Sequence, residues 1–264
     1  MRVALKIAYD GRAFYGHQRQ PDRRTVEGEC IRTLRSTKII RDPAQAFFRS
    51  ASRTDRGVSA VGNVIAFDAS LGPEAVIGAF NDKAREVWAW AFAVVPDTFH
   101  PRHAIERWYR YVLFDEVDEP ALRAAARLFV GTHDFQAFCS EALSGPFTVE
   151  SIAVERKESA TFIDVRARSF RRGMVRRMIA GMLAAMRRDA EMSDLEDVLD
   201  GGTRDFGSVS PLPLTLMDVL YDIPFRTVLK PGVAEELHRR AREASLQLAH
   251  LGFLGEATGA TFGP

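Results

Sequence analysis

The run Arg53-Thr54-Asp55-Arg56-Gly57-Val58 holds one carboxylate between two arginines, with a glycine two residues on. A carboxylate flanked by guanidiniums is favoured in its charged form. Beside a flexible turn it can act as a nucleophile, or it can simply cap backbone amides in an Asx-turn. Local spacing leaves both readings open. A second polar stretch, Tyr9 to Pro21, sets Tyr9, Phe14 and Tyr15 among Arg12, His17, Gln18, Arg19 and Gln20. Such a loop either binds a partner or packs on itself at the surface. A third, Trp108-Tyr109-Arg110-Tyr111, puts Tyr109 and Tyr111 on one face of a strand and Trp108 and Arg110 on the other. Aromatics beside cations suit stacking on an unpaired base, worth about 1–3 kcal/mol per base. The same pattern also fits a core strand with one wet face.

Cationic chemistry in this chain belongs to arginine. Of 36 basic residues only Lys6, Lys38, Lys83, Lys157 and Lys230 are lysines. Arginine favours planar, bidentate contacts with phosphate and stacks on bases. A GC-rich genome also raises arginine content, so clustering is the better discriminator. Arg166, Arg168, Arg171, Arg172, Arg176 and Arg177 lie within twelve positions without an acid among them. On a chain of net charge +1 that is a local basic patch, the footprint expected for nucleic acid. Arg176 falls one helical turn after Arg172, with no acid in reach along the helix, which points it at a distant carboxylate or a phosphate. His100 and His103 flank Pro101, which forbids the regular helix their spacing would need to share a metal. Cys30 and Cys139 form neither a disulfide framework nor a zinc signature.

The elements that must position these groups read as two successive mixed units. Val3, Leu5, Ile7 and Tyr9 alternate as a half-buried strand. Thr25 can cap a helix with Val26, Cys30, Ile31 and Leu34 on one face. Residues 39–48 look like a strand interrupted by Pro43, 63–68 like a short strand, and Pro73 opens a helix. Trp88, Trp90, Phe92 and Val94 share one face of a further strand. Pro96 and Pro101 bracket a connection, which puts a boundary near residue 100. A second round follows: a strand at 108–114, a helix from Pro120 to before Gly131, and a strand pair at 148–156 and 161–168. Then come a helix at 173–187, a capping box Ser193-Asp194-Leu195-Glu196, a strand at 214–221 and an amphipathic helix through Leu237, Ala241, Ala244, Leu248 and Leu251. Neither a membrane-length apolar run nor a signal-peptide block is present, so the expected location is the cytoplasm.

Together these stretches resemble the TruA family of tRNA pseudouridine synthases. The resemblance is carried by Tyr9-Asp10-Gly11 through Gly16-His17-Gln18-Arg19-Gln20 and by Arg53-Thr54-Asp55-Arg56-Gly57-Val58. It continues through Phe99-His100-Pro101-Arg102, Arg107 to Tyr111, Gly131 to Phe135 with Phe138, and Phe170 with Met174-Val175-Arg176. It implies an α+β fold of two pseudo-symmetric RNP/ferredoxin-like lobes, residues 1–100 and 101–264, sharing a continuous mixed, mainly antiparallel sheet with a basic active-site cleft between them. The implied reaction converts uridine to pseudouridine in the anticodon stem-loop of tRNA, by a homodimer, with no metal or cofactor and no membrane. The implied roles are Asp55 as nucleophile or as base at the sugar, Arg176 as its partner, and Tyr109 as base-stacking platform with a part in the final proton transfer. Arg53 fills the gap left by the flipped nucleotide, and Leu214 lines the pocket. Arg12, Tyr15, Gln18, Arg19, Arg168, Arg171 and Arg172 contact RNA. His17, Pro101 and Pro213 depart from the family's usual residues. Two alternatives stand beside this reading: an inactive tRNA-binding or folding protein, and the same isomerase acting at another RNA position.

Overall fold

The alternation of Val3, Leu5, Ile7 and Tyr9 becomes strand β1 (Arg2–Tyr9) in a computed structural model that describes residues 1–141, 145–228 and 230–258. The elements then run α1 (Val26–Ser36), β2 (Arg49–Ser50), β3 (Ser59–Asp68), α2 (Pro73–Lys83), β4 (Val87–Val94), β5 (Glu106–Leu113), α3 (Glu119–Leu128), β6 (Gly131–His133) and β7 (Phe147–Val149). They continue with β8 (Ser151–Lys157), β9 (Ala160–Ala167), α4 (Met174–Met186), α5 (Met192–Leu199), β10 (Leu214–Leu220), β11 (Arg226–Thr227) and α6 (Pro231–Thr258). Among the described residues nine strands share one sheet in the order β11-β4-β1-β3-β10-β5-β9-β8, with β2 beside β3. Every pairing in it is antiparallel except β3 with β10. This is the mixed, mainly antiparallel sheet of an α+β fold that the family resemblance implies.

Local chemistry explains where the elements start. Thr25 Oγ1 accepts from Gly28 N at 3.2 Å and caps α1, which buries Val26, Cys30, Ile31 and Leu34. Asp118 caps α3 in the same way through Ala121 N, with Pro120 in the first turn. Helix α4 buries Met174, Met178, Gly181 and Ala185 on the face its spacing predicts.

Four expectations need correcting. Residues 39–48 are turns, not strand, because the Asp42 carboxylate captures the amides of Ala44 and Gln45 and Pro43 has no N–H to offer a ladder. Only Arg49 and Ser50 pair, with Ala66 and Ile65. The strand expected at 148–156 is two strands: β7 turns away to pair with β6 in a separate ribbon, and β8 pairs with β9. The capping box of α5 lies two residues earlier than read, between Glu191 and Asp194. Strand β3 begins at Ser59, four residues before its apolar alternation, because β10 supplies a partner there. On the tryptophan face of β4 Trp88 and Trp90 are half-buried and Val94 is exposed, with only Phe92 buried, while on the other face Val87, Ala89, Ala91 and Ala93 are buried. Helix α6 forms as expected, yet Leu237, Leu246, Leu248, Leu251, Phe253 and Leu254 along it remain exposed. Its first half is tied to the start of β4, where Arg240 bonds Glu86 and lies over Trp88 at 5.0 Å. No helix among the described residues is long and apolar enough to cross a membrane.

Apart from edge strand β11, which comes from residues after 100, the half of the sheet with β4, β1 and β3 comes from residues before 100, and β10, β5, β9 and β8 come from residues after it. The two sets meet where β3 runs parallel to β10, through Ser59–Thr215 and Ala60–Leu216. On the far face Lys6 of β1 reaches over β3 to Asp218 of β10 at 2.5 Å. Gly62 leaves the gap for that pair, since a Cβ there would stand 2.5 Å from Asp218 Oδ1. Replacing the α1 cap, Thr25→Ala, is expected to lower stability by about 1 kcal/mol. The check is a urea titration, in which the midpoint falls while the slope stays constant.

Candidate active site

Asp55 sits in a loop that its surroundings hold from three sides. Tyr9 hydroxyl and Thr54 Oγ1 are 2.9 Å apart, and Asn63 Nδ2 donates to the Tyr9 hydroxyl at 3.1 Å. His17 N donates to Thr54 O at 3.0 Å, which lays the Tyr15–Gln20 loop against the Asp55 loop. Val58 N then turns back to Asp55 O at 3.2 Å, with Gly57 at φ +88°. Gly11 passes so close that a Cβ on it would lie 2.3 Å from Val58 O. The Asp55 side chain is left about a quarter exposed, facing a cleft.

Two distant segments, the start of α4 and strand β5, close on that carboxylate. Arg176, on the first turn of α4, brings Nη1 to 3.3 Å from Asp55 Oδ2, while its Nε donates to Val209 O at 2.8 Å. The backbone bond holds the guanidinium at one edge and leaves the other edge for the carboxylate. Arg172 Nε stands 3.9 Å from Asp55 Oδ1. Tyr109, on β5, is buried, with its ring edge-on to Phe170 at 5.3 Å. Burial pushes its phenol up to about 12, the Arg107 cation pulling the other way and the Asp55 charge reinforcing the rise. Tyr109 is therefore a neutral ring at neutral pH.

The cleft has a volume of about 820 Å³, and eight arginines line it against the carboxylates Asp55 and Glu141. Of the residues singled out from sequence, Asp55, Tyr109, Arg176, Arg53, Leu214, Tyr15, Gln18, Arg19, Arg171 and Arg172 all line it. Arg12 and Arg168 do not. The Arg12 guanidinium is turned onto Asp10, 2.6 Å away, and Arg168 contributes its carbonyl to Arg107. The six-arginine cluster divides as well: Arg166 pairs with Glu106 on the opposite face of β5 and lies over Trp108, and Arg177 pairs with Asp205. The rings of His100 and His103 stack at 5.0 Å.

For two residues the sequence named no role in the site. Arg107 is buried, with only 6% of its surface exposed, and has no carboxylate partner among the described residues. It donates instead to Ser52 Oγ, Ala51 O, Arg102 O and Arg168 O, tying the approach to Asp55 to the segment that leads into α4. The alternation of β5 places it beside Tyr109 and Tyr111, and that was the available signal. His17 is 1% exposed and neither ring nitrogen has a hydrogen-bond partner among the described residues. Burial and the nearby Arg53 cation push it down to about 4.

This geometry, a carboxylate facing an arginine and a buried tyrosine in an arginine-lined cleft, accompanies clear similarity to known proteins. Residues 125–222 match the model of a family described as tRNA pseudouridine synthase. The tRNA pseudouridine synthase A of Thermococcus onnurineus is 39% identical over 97% of this chain and 98% of its own length. That of Methanococcoides burtonii is 42% identical over 92% and 90% of the two chains, and that of Thermococcus sibiricus 46% identical over 69% and 70%. The chain belongs to the tRNA pseudouridine synthase A family.

The His17 ring yields a stability prediction. Its folded value lies below the ordinary histidine value of 6.5, so below pH 6.5 the unfolded chain binds the proton more readily. The contribution of this ring is full above pH 6.5 and is lost as the pH drops toward 4, by roughly 2 kcal/mol between pH 7 and pH 4.5. Urea titrations at the two pH values should show that loss in the parent chain and a smaller one in His17→Phe.

Proposed function

We propose that this protein isomerises uridine to pseudouridine in the anticodon stem-loop of tRNA. The observation that carries the reading is the 3.3 Å contact between Asp55 and Arg176, with Tyr109 buried beside it, in a chain of this family. In the reaction the bond from the ribose C1′ to N1 of the uracil breaks. The base turns and rejoins C1′ through C5. C5 then loses its proton and N1 gains one, so that no atom is added or removed.

Asp55 opens the glycosidic bond, either by attack at C1′ or by taking a proton from the sugar. Arg176 fixes the direction of the carboxylate and keeps a positive charge beside it while charge moves to the base. Tyr109, neutral and anchored edge-on against Phe170, is the platform on which the loose uracil stacks and turns. Leu214 offers the base an apolar wall. Arg53, exposed and without an ion-pair partner among the described residues, enters the gap left by the extruded nucleotide, a step that costs a few kcal/mol. Gln18, Arg19, Arg171 and Arg172 meet the RNA backbone from the walls of the cleft.

The same reading makes residues 1–100 and 101–264 two related lobes with the site at their junction. Asp55 comes from the first lobe and Tyr109 and Arg176 from the second. It also makes the protein a cytoplasmic homodimer. The exposed leucines and Phe253 of α6 supply apolar surface that a second copy would cover.

Asp55→Asn keeps the shape of the side chain and removes its charge. It should abolish pseudouridine formation in unmodified tRNA, while filter binding shows tRNA affinity retained; substantial turnover by this variant would refute the assignment. Mapping pseudouridine in tRNA from cells with and without the gene tests both activity and position. Loss confined to the anticodon stem-loop supports the proposal. Loss elsewhere favours another RNA position, and no loss favours a binding protein without catalysis.

A further inference from the structure

Among the described residues eight arginines lie with their guanidiniums against aromatic rings. Five of them, Arg110, Arg166, Arg204, Arg226 and Arg240, also hold a carboxylate. Arg24 donates to the carbonyl of Arg85. Arg23 and Arg56 do neither among the described residues, and both lie against the same ring, that of Tyr15, at 4.4 Å and 4.2 Å from its centre. All three side chains are exposed.

Tyr15 is itself fixed in place. Its N–H donates to Arg24 O at 2.8 Å and its carbonyl accepts from Gln20 Nε2 at 3.2 Å, so both backbone groups are used within its own loop. His17 N then ties that loop to Thr54 O, and Arg56 follows Asp55 directly in the chain. Contact with one ring sets the two guanidinium carbons no more than about 9 Å apart. A stacked guanidinium uses its flat face and keeps its N–H donors free at the edge. Two cations held this close, neither in an ion pair among the described residues, repel each other, and an anion that binds both relieves that repulsion.

We propose that Arg23 and Arg56, positioned by the Tyr15 ring, form a clamp for the phosphodiester backbone of RNA at the rim of the cleft, next to the target nucleotide. The proposal rests on the functional reading above and adds to it a subsite for backbone phosphate. It gives Tyr15 a positioning role, since guanidiniums of the chain itself lie against its ring. It also gives Arg56 a role distinct from those of its neighbours Arg53 and Asp55.

The test is the salt dependence of binding, measured by fluorescence anisotropy with an unmodified tRNA transcript over a range of KCl concentrations. Each lost phosphate contact lowers the slope of log K against log[KCl] by about 0.7–0.9. Arg23→Ala and Arg56→Ala should each show that decrease, and the double variant about twice as much. Arg23→Lys and Arg56→Lys should restore most of the slope, because charge suffices for the counter-ion effect. Tyr15→Leu should weaken binding although no charge is removed. In a parallel assay of pseudouridine formation, the alanine variants should raise KM by a larger factor than they lower kcat. A double variant with the parent slope, and a loss seen only in kcat or in the urea midpoint, would overturn the clamp and leave the stack as a latch between two loops. If the parent protein forms pseudouridine and the slope is still unchanged, only the clamp falls; if the parent protein forms none in tRNA, the functional reading itself fails.

Discussion

The amide of Asn63 occupies the interior of this protein with every hydrogen-bonding position filled. Its oxygen accepts from Ser52 N and Val64 N, and its nitrogen donates to Ser52 O and to the Tyr9 hydroxyl. Through Tyr9 the network reaches Thr54, the residue before Asp55. A buried amide with one unmet bond costs about 1–3 kcal/mol, so each of these bonds constrains the others. The loop that carries Asp55 is therefore fastened to β1 and β3 by polar bonds inside an otherwise apolar region. Its position does not depend on the flexible side chains at the surface.

Around this anchor, charge is sorted by location. The chain is close to neutral overall, and outside the cleft several arginines are paired with acids: Asp10, Glu106, Asp164 and Asp205 each hold one. Inside the cleft the arginines outnumber the carboxylates, and Arg107 is buried on carbonyls and a hydroxyl alone. Burying a cation without a counter-ion is costly, and burial accordingly depresses the Arg107 proton affinity. The cost is offset where a polyanion approaches the same wall. A nearly neutral protein can thus present a strongly polarised concave surface, which total charge does not report.

The sequence made some of this legible and hid the rest for identifiable reasons. Strand β1, helix α1 and helix α4 were readable because their apolar period coincides with burial, and Thr25 marks its helix start. The segment around Pro43 looked like strand because apolar content was read without the Asp42 carboxylate that bends it. Strands β7 and β8 looked like one because only a partner strand reveals where a run divides. At the site, the Asp55 run announced itself by residue type. That Arg176 would be its partner came from family resemblance, since 121 residues separate the two and no local pattern joins them. Arg107 was visible in the alternation of β5, yet its lack of an acid partner is a fact of tertiary structure. His17 departs from the family's usual residue, and its isolation appears only once the ring is seen enclosed.

The parallel join of β3 and β10 is two residue pairs long, and it lies four residues from Asp55 on one side and one residue from Leu214 on the other. Asp55 belongs to the segment entering β3, and Arg176 to the helix between β9 and β10. Any slippage along that join would displace the two charges relative to each other by a comparable amount. The Asp55–Arg176 separation thus serves as a gauge of alignment between the two parts of the sheet. A substrate that bridges both parts would reset the gauge as it seats, coupling the fit of a large RNA to the aim of a single carboxylate.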